Sequence, residues 1–396
     1  MTGRRMLAVA GIALAALLSA GCVHDAREMV ADVLREEVIS RADSALALAP
    51  VTVTDFVAEQ SEGGIHDFYS QADYFWPDPN NPGGAYKSHD GESNPNVFKC
   101  HRQAMIRLSR IVGDLTSAWL VTGDEAYARA VEPHVRAWFM DQETMMAPNM
   151  LYAQAIIGKR SGWSIGIIDS IHLVEVAQAL LRLEQGGMLD KEVAEGTKEW
   201  FRDFIEWLTT TSRGEAEMRA ANNHGTCWAL QVSAFARYTG DEETLDFCRK
   251  RFKEVLMFQQ MAPDGSFPME TRRTKSYAYS IFNLDAMAGL CQILSTPEDD
   301  LWEYTTEEGH NMRLGVDFLV PYIEDKSMWP YGEDIVDWNE WPVAQPFLVL
   351  AWYHSKTVSG TDGTDRWFRL WESLEHFPEH AEVLRNLPLR NPLIWL

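Results

Sequence analysis

The stretches VTGDEAY (Val121–Tyr127) and YTGDEET (Tyr238–Thr244) each join two segments with helical periodicity. In both, the glycine suits the left-handed position after a helix, and the aspartate that follows suits the N-cap of the next helix. A helix hairpin that recurs with the same connection is typical of a solenoid or a closed toroid of antiparallel helix pairs. These stretches therefore predict an all-α fold, an (α/α) toroid or incomplete barrel around a central cleft.

Apolar residues at helical spacing continue this pattern through most of the chain. Met105, Leu108 and Val112 recur on one face of one predicted helix, and Ala26–Ala49 is predicted as an amphipathic first helix. The other predicted helices are Glu125–Met140, Trp163–Leu183, Lys191–Thr210, His224–Tyr238, Glu242–Met261, Ser276–Leu294, Thr306–Tyr322 and Ala344–Ser355. No linker rich in Pro, Gly or Ser divides residues 96–396. We therefore predict one domain over residues 51–396, after an N-terminal helix and linker at residues 23–50.

The first 22 residues have the pattern of an export signal. Arg4 and Arg5 precede an apolar run that is too short to span a bilayer, and small residues lead to Cys22. This pattern predicts a lipoprotein-type signal peptide, although Ser19 stands where leucine is usual; ordinary signal cleavage is the alternative. Both predict an exported bacterial protein, periplasmic or held at the outer membrane through a lipid on Cys22.

Composition restricts the possible partners. The chain has 396 residues, of which 46% are hydrophobic, and a formal net charge of -23. It can bury a large core, but its charge argues against nucleic acid or an anionic membrane surface as a partner. An acidic polymer stays possible, because a cleft can be locally basic. Cys100, Cys227, Cys248 and Cys291 lack metal-like spacing and are predicted to be buried thiols, with one disulfide as the alternative.

Two polar stretches interrupt the helical pattern. Asn222, Asn223 and His224 stand together at the start of a predicted helix. Since asparagine favours caps and turns, a capped helix start is one interpretation and a functional site is the other. The second stretch, residues 264–287, places Arg272 and Arg273 before two tyrosines. Cations are disfavoured at helix N-termini, so this cluster indicates an anionic group nearby.

The pairing of these cations with the tyrosines depends on local conformation. If the stretch is helical, Arg272 and Tyr279 share one face, whereas Arg273 and Tyr277 share another. Periodicity alone leaves the pairing open.

Two long loops carry many aromatic residues. The first, His66–Pro95, contains Tyr74, Trp76 and Lys87, and the second is Trp329–Pro342. Long irregular loops in compact domains are usually functional or disordered. We predict that they form a lid over the cleft, where aromatic rings can stack on sugars.

Amides, a histidine, an arginine and a tyrosine together suit β-elimination on a polyuronate. The enzyme must remove the C5 proton beside the C6 carboxylate and expel the C4 oxygen. Amides, arginine or histidine can neutralise the carboxylate and so make the C5 proton more acidic. Tyrosine can transfer the proton if a neighbouring cation lowers its pKa of about 10.

Four blocks in sequence order resemble the alginate lyase superfamily of α/α-toroid polysaccharide lyases, in the branch that includes alginate and glucuronan lyases. They are DYFWPDPNNPGGAY with DGESNP, GIIDSIHLVE, NNHGTCW and ETRRTKSYAYSIFNLDAM. The resemblance covers about Gly63–Pro346. It implies a toroid fold and cleavage of a polyuronate without a redox cofactor. A metal could be held through His66, His89, His101 or His224, but no HxH or HExxH spacing supports one, so no metal is predicted.

The resemblance also implies residue roles. Asn223 is the carboxylate-neutralising amide, His224 neutralises or acts as base, and Tyr279 is the acid and, for syn elimination, the base. Arg273 matches the family's arginine by its spacing to Tyr279, although Arg272 directly before it leaves that choice open. The predicted substrate-binding residues are Asn222, Tyr74, Trp76, Lys87, Lys159, Arg160, Arg272 and Tyr277, although core packing is the favoured role of Tyr277.

Two other functions fit the same chain. A glycoside hydrolase would need two carboxylates flanking the scissile bond, for which Asp90, Asp169 and Glu270 are candidates. A non-catalytic surface glycan-binding protein would keep the aromatic loops and have no need of the Asn-His and Arg-Tyr pairs. The polymer, the endo or exo mode and the oligomeric state are not predicted.

Overall fold

The computed structural model describes residues 25–361 and 363–396, so the predicted signal peptide lies outside the described residues. The fold is built from helices, which confirms the all-α prediction. The α-helices are α1 (residues 25–45), α2 (Cys100–Thr122), α3 (Glu125–Ala130), α4 (Glu132–Phe139), α5 (Leu173–Gln185), α6 (Lys191–Thr210), α7 (Ser212–Met218), α8 (Asn223–Thr239), α9 (Glu242–Arg251), α10 (Phe258–Gln260), α11 (Pro268–Thr271), α12 (Ser276–Leu294), α13 (Met312–Glu324), α14 (Pro346–His354), α15 (Asp365–Glu372), α16 (Ala381–Arg385) and α17 (Pro392–Trp395).

Both TGDE connections form the predicted helix hairpins. Gly123 after α2 has φ 74° and Gly240 after α8 has φ 75°, the left-handed conformation that glycine adopts without strain. Asp124 accepts a hydrogen bond from the Ala126 amide, and Asp241 caps α9 in the same way. In both turns, therefore, the glycine that ends one helix and the aspartate that caps the next are adjacent in the sequence.

Helix α8 lies at the centre of the packing. It contacts α5, α6, α9 and α12, and both α8 and α12 are buried on nearly all faces. Such all-round burial explains why their sequences lack a polar stripe. Helix α1 joins the same apolar core through Val30, Leu34 and Val38, so it packs on the body of the fold. The four cysteines of the described residues are free thiols.

Several predicted helices differ from the observed ones. The predicted helix Glu242–Met261 contains the π-helix Phe252–Met257 between α9 and α10, and α1 ends at residue 45 rather than 49. The predicted helix Glu125–Met140 is divided into α3 and α4, with a proline in the first turn of α4, where proline is tolerated. The segment before α5 is a 3₁₀ helix, Ser164–Ser170. Helix α13 starts six residues later than predicted because Asn311 caps it by accepting from the Leu314 amide.

Four short strands organise the aromatic loop His66–Pro95. They are β1 (Tyr69–Gln71), β2 (Phe75–Trp76), β3 (Lys87–Ser88) and β4 (Tyr152–Ala155). Strand β1 pairs in parallel with β4, whereas β2 and β3 form a small antiparallel hairpin. The loop is therefore anchored to the helical body by β1 and projects the hairpin beside the cleft.

Within residues 25–361 and 363–396 no single helix is long and apolar enough to cross a bilayer, although the bent pair of the 3₁₀ helix Ser164–Ser170 and α5 reaches that length and composition.

Candidate active site

A cavity of about 340 Å³ opens at one end of the helical body. The β1–β2 connection, the 3₁₀ helix, the start of α8, the α11–α12 connection and α16 all contribute to its wall. The polar residues that line it are Asp73, Tyr74, Ser88, Asp90, Arg102, Gln154, Asp169, His172, Asn222, Asn223, His224, Arg273, Tyr279, Arg385 and Asn386. The four residues predicted to be catalytic thus lie around one cavity.

The chain between α11 and α12 decides which arginine meets the tyrosine. Helix α11 ends at Thr271 and α12 begins at Ser276, so residues 272–275 are not helical and the pairing left open by periodicity is decided by the fold. The Arg273 guanidinium lies 4.3 Å from the centre of the Tyr279 ring, and its Nη2 lies 3.4 Å from the Tyr279 hydroxyl. Arg272 is exposed and does not line the cavity.

Asp90 orients Arg273. Its two carboxylate oxygens accept from Arg273 Nη2 at 2.6 Å and from Nε at 3.2 Å, and the Thr274 hydroxyl also donates to it. Burial opposes the charged guanidinium, but the hydrogen bond and charge of Asp90 outweigh it, so the pKa of Arg273 is raised. The guanidinium therefore stays charged beside the phenol of Tyr279.

Tyr279 is buried and paired with a second phenol. Its hydroxyl lies 2.6 Å from that of Tyr74. Burial raises the pKa of Tyr279 well above 10, the neighbouring Tyr74 raises it further, and Arg273 lowers it by less. The neighbouring cation thus lowers this pKa as the sequence suggested, but desolvation of the hydroxyl, which the sequence does not reveal, outweighs it and the net pKa is raised in the free protein. Tyr279 is a neutral phenol at neutral pH.

The Asn222-Asn223-His224 stretch starts α8, but its amides do not cap the helix. Asn222 occupies the N-cap position without a side-chain cap hydrogen bond. The buried carboxylate of Glu270 caps instead, accepting from the Asn223 backbone amide at 2.7 Å and from Asn223 Nδ2 at 2.6 Å. The capped-start interpretation of the asparagines therefore does not hold, and their side chains line the cavity.

His224 contacts a second buried carboxylate. Its Nδ1 lies 2.5 Å from Glu217 Oε1, and Glu217 is 1% exposed. Burial lowers the pKa of His224, but the charge and hydrogen bond of Glu217 outweigh it, and the net pKa is raised above 6.5. The imidazole ring lines the cavity while Glu217 lies behind it.

A buried ion cluster contributes to the wall of the cavity. Arg102 donates to Asp73 at 2.8 and 2.9 Å, and Arg385 reaches the same carboxylate at 2.9 Å. Asp169 lies 3.4 Å from Arg102. Sequence reasoning missed Asp73, Arg102 and Arg385 because each is an isolated charge in a separate segment. The one indication in the sequence was Arg102 itself, a charged residue on the apolar face of α2.

The cluster predicts a pH-dependent stability. Burial raises the pKa of Asp73, but Arg102 and Arg385 outweigh it and hold the value at about 2. A carboxyl whose pKa is lowered on folding stabilises the fold above its unfolded pKa of about 4, and this contribution, about 2 kcal/mol, is lost as the pH falls towards 2. We expect Asp73→Asn to flatten the fall in unfolding free energy between pH 4 and 2, measured by urea titration. Exposed Asp317→Asn on α13 is the control, and an unchanged slope for Asp73→Asn would contradict the assignment.

Three predicted binding residues support the cavity wall or the lid from outside. Lys159 lies 5.5 Å from the ring of Phe75, and Arg160 lies 4.4 Å from the ring of Trp163. Both rings line the cavity, whereas the two cations do not. Trp76 donates to the Glu92 carbonyl at 2.9 Å, which holds the β2–β3 hairpin.

Two further predicted binding residues lie away from the cavity. Lys87 forms a 2.8 Å ion pair with Asp78 and points to solvent. Tyr277 is fully buried, and its hydroxyl donates to the Tyr322 carbonyl at 2.8 Å. Its ring packs against Trp329 and other aromatic residues. Tyr277 is therefore a core residue, and its prediction as a binding residue is corrected.

No cluster of three or more His, Cys, Asp or Glu side chains in the described ranges is placed to hold a metal ion.

The fold and this constellation define a class of protein, a carbon–oxygen lyase that acts on a polysaccharide. The chain belongs to the alginate lyase family, whose family model matches residues 52–329. An alginate lyase from Bacteroides ovatus is similar in structure, with a TM-score of 0.79 and 31% identity, over 95% of this chain and 97% of that one. Among curated protein sequences no match is found.

Two structures of alginate lyase A1-III resemble the fold at lower identity. Both are complexed with a tetrasaccharide, one in a variant with histidine replaced by alanine and the other in a variant with tyrosine replaced by phenylalanine. The first has a TM-score of 0.56 at 14% identity over 83% of this chain and 88% of that one. The second has a TM-score of 0.52 at 14% identity, over 82% and 87%. These similarities show the helical toroid fold alone.

Proposed function

We propose that this lyase cleaves a polyuronate, either mannuronate-rich alginate or glucuronan, by β-elimination and leaves a 4,5-unsaturated uronate at the new chain end. The observation that carries the proposal is the position of Tyr279. Its hydroxyl lies 3.4 Å from Arg273, and Tyr279 lines the same cavity as Asn223 and His224. A group that can transfer a proton, Tyr279, thus shares one cavity with three groups that can bind a carboxylate.

The charge of the cavity suits such a polymer better than the charge of the whole chain. Three arginines and three aspartates line it, whereas the chain carries a net charge of -23. The arginines are Arg102, Arg273 and Arg385, and the imidazole of His224 adds to them. The lining is therefore locally balanced, and a uronate carboxylate meets hydrogen-bond donors there.

The chemistry then follows from these groups. Asn223, His224 and Arg273 bind the C6 carboxylate and disperse the negative charge that develops when the C5–H bond breaks. The electron pair of that bond forms the C4=C5 double bond while the C4–O bond breaks. Tyr279 gives a proton to the departing oxygen. Either the phenolate of Tyr279 or neutral His224 accepts the C5 proton.

Hydrolysis is less well supported. Each candidate carboxylate is already engaged: Asp90 by Arg273, Asp169 by Arg102 and Ser70, and Glu270 by Asn223. A hydrolase needs a protonated carboxylic acid at the scissile oxygen. Arg273 lowers the pKa of Asp90 despite its burial, and Glu270 does not line the cavity.

Ultraviolet absorbance of the unsaturated product tests the reaction and the substrate together. Purified protein is incubated separately with polymannuronate, polyguluronate and glucuronan. We expect absorbance to rise with polymannuronate or glucuronan. Reducing ends that appear without absorbance would instead establish hydrolysis, and cleavage of polyguluronate alone would contradict the proposed substrate.

A further inference from the structure

His224 has an environment that decides what it can do in the cavity. Its ring lines the cavity, and its side chain is 18% exposed. Nδ1 is occupied by Glu217 at 2.5 Å, so Nε2 is the nitrogen left for a ligand. A base would have to present Nε2 without its proton, whereas a carboxylate-binding group would present N–H.

Glu217 is a buried carboxylate that depends on His224 for its hydrogen bond. It is 1% exposed, on the short helix α7, and its one side-chain hydrogen bond within the described residues goes to His224. A buried carboxylate without a cation is strongly disfavoured. Protonation of His224 supplies that cation, so the buried pair is satisfied when the imidazole carries two protons.

Other groups act on the imidazole from every side. Glu270 on α11 is buried nearby and favours the charged ring, while Arg273 between α11 and α12 opposes it. Asp169 on the 3₁₀ helix, His172 in the turn before α5 and Tyr279 on α12 line the same cavity as the imidazole. Burial also opposes the charge. Among these groups Glu217 is the one in hydrogen-bond contact.

We propose that Glu217 is a positioning residue that acts through His224, holding the ring in one orientation and in its doubly protonated form, so that Nε2–H binds the uronate carboxylate. This inference rests on the proposed function, and it assigns the C5 proton to the phenolate of Tyr279. Arg273 stabilises that phenolate. Because burial disfavours the phenolate, turnover draws on a minor form of Tyr279.

Nuclear magnetic resonance of the free protein tests the charge of His224 without any substrate. The Cε1–H resonance of His224, assigned by its loss in His224→Gln, is followed against pH in the wild type, Glu217→Gln and Glu215→Gln. Glutamine can still accept the hydrogen bond but removes the charge. Glu215, exposed on the same helix and paired with Arg219, is the matched control.

We expect the His224 resonance of the wild type to titrate with a midpoint above pH 6.5. The midpoint should fall by about 1 to 3 pH units in Glu217→Gln and stay unchanged in Glu215→Gln. A raised pKa means that the cation is present below the midpoint and is lost as the pH rises through it. A wild-type midpoint at or below 6.5 overturns the inference even if Glu217→Gln does not fold. If Glu217→Gln folds and its His224 midpoint equals that of the wild type, the inference is also overturned.

Binding links this charge to the substrate. In the Tyr279→Phe background, tetrasaccharides of mannuronate and of glucuronate are titrated across the same pH range. Affinity should weaken as the pH rises through the titration midpoint of His224. In Glu217→Gln this fall in affinity should begin at a lower pH, displaced by the same number of pH units as the midpoint. Above both midpoints, binding should be about tenfold weaker for each pH unit of displacement. If a polymer is cleaved but affinity falls at the same pH in Glu217→Gln as in the wild type, the inference about Glu217 is overturned while the proposed function stands. The absence of cleavage of any polymer contradicts the proposed function, while the resonance titration still decides the charge of His224.

Discussion

Tyr279→Phe is expected to reduce turnover of the cleaved polymer by about 10² to 10⁴-fold, because general acid–base transfer by one positioned side chain contributes on this scale. The variant keeps the ring, its packing and the contact with Arg273, so polymer affinity should change little. Initial rates from ultraviolet absorbance give kcat, and calorimetry gives the affinity.

Tyr277→Phe is the matched control for this loss. It removes a hydroxyl two positions earlier on the same helix, but that hydroxyl donates to the Tyr322 carbonyl within the core. We expect near wild-type turnover and a free energy of unfolding lower by about 1 kcal/mol. If Tyr279→Phe retains wild-type kcat, Tyr279 transfers no proton and the assignment is wrong.

Arg273→Ala is expected to lower kcat/KM by about 10² to 10³-fold, as for removal of one group that stabilises an oxyanion. The change removes a carboxylate-binding group and the cation beside Tyr279, and it leaves Asp90 without its ion pair. Part of the loss is therefore indirect. Arg273→Lys keeps the charge but not the two-point contact with Asp90, and we expect an intermediate value.

The neighbouring Arg272→Ala supplies the comparison. Arg272 is exposed and its nearest polar contact is the sulfur of Met269, at 3.9 Å. Its removal should leave kcat/KM within about twofold of wild type, as for a surface change. A larger loss in Arg272→Ala than in Arg273→Ala, measured as initial rates at low polymer concentration, would reverse the choice between the two arginines.

Features with local chemical causes could be predicted from the sequence. The two TGDE turns carry both their glycine and their capping aspartate in the same few residues, and helices α6 and α12 have the predicted bounds. The resemblance placed Asn223, His224, Arg273 and Tyr279, and the fold brings them to one cavity. Their roles stay predictions.

The start of α12 at Ser276 was predicted, but the group that caps it could not be, because it comes from a distant residue. Asp334, in the second aromatic loop, accepts from the amides of Tyr277 and Ala278 at 2.9 and 3.0 Å. Nothing in the local sequence marks this cap, so periodicity could not choose between Arg272 and Arg273. The fold provides the cap and thereby the pairing of Arg273 with Tyr279.

The buried charges could not be predicted for a related reason. Glu217 and Asp73 are two among 58 acidic residues, and nothing in the sequence shows that they are buried beside the cavity. The pKa of Tyr279 depends likewise on desolvation, which outweighs the neighbouring cation. A sequence shows which groups are present, whereas their exposure to water requires the fold.

The most direct test of β-elimination is the mass of the fragments released from a polyuronate tetrasaccharide. Elimination leaves the fragment from the reducing side lighter by one water than the corresponding hydrolysis product, since no water is added across the bond. We predict that the wild type releases this lighter fragment and that Tyr279→Phe does not. Fragments that carry the added water, and that incorporate heavy oxygen from labelled solvent during cleavage, would contradict it.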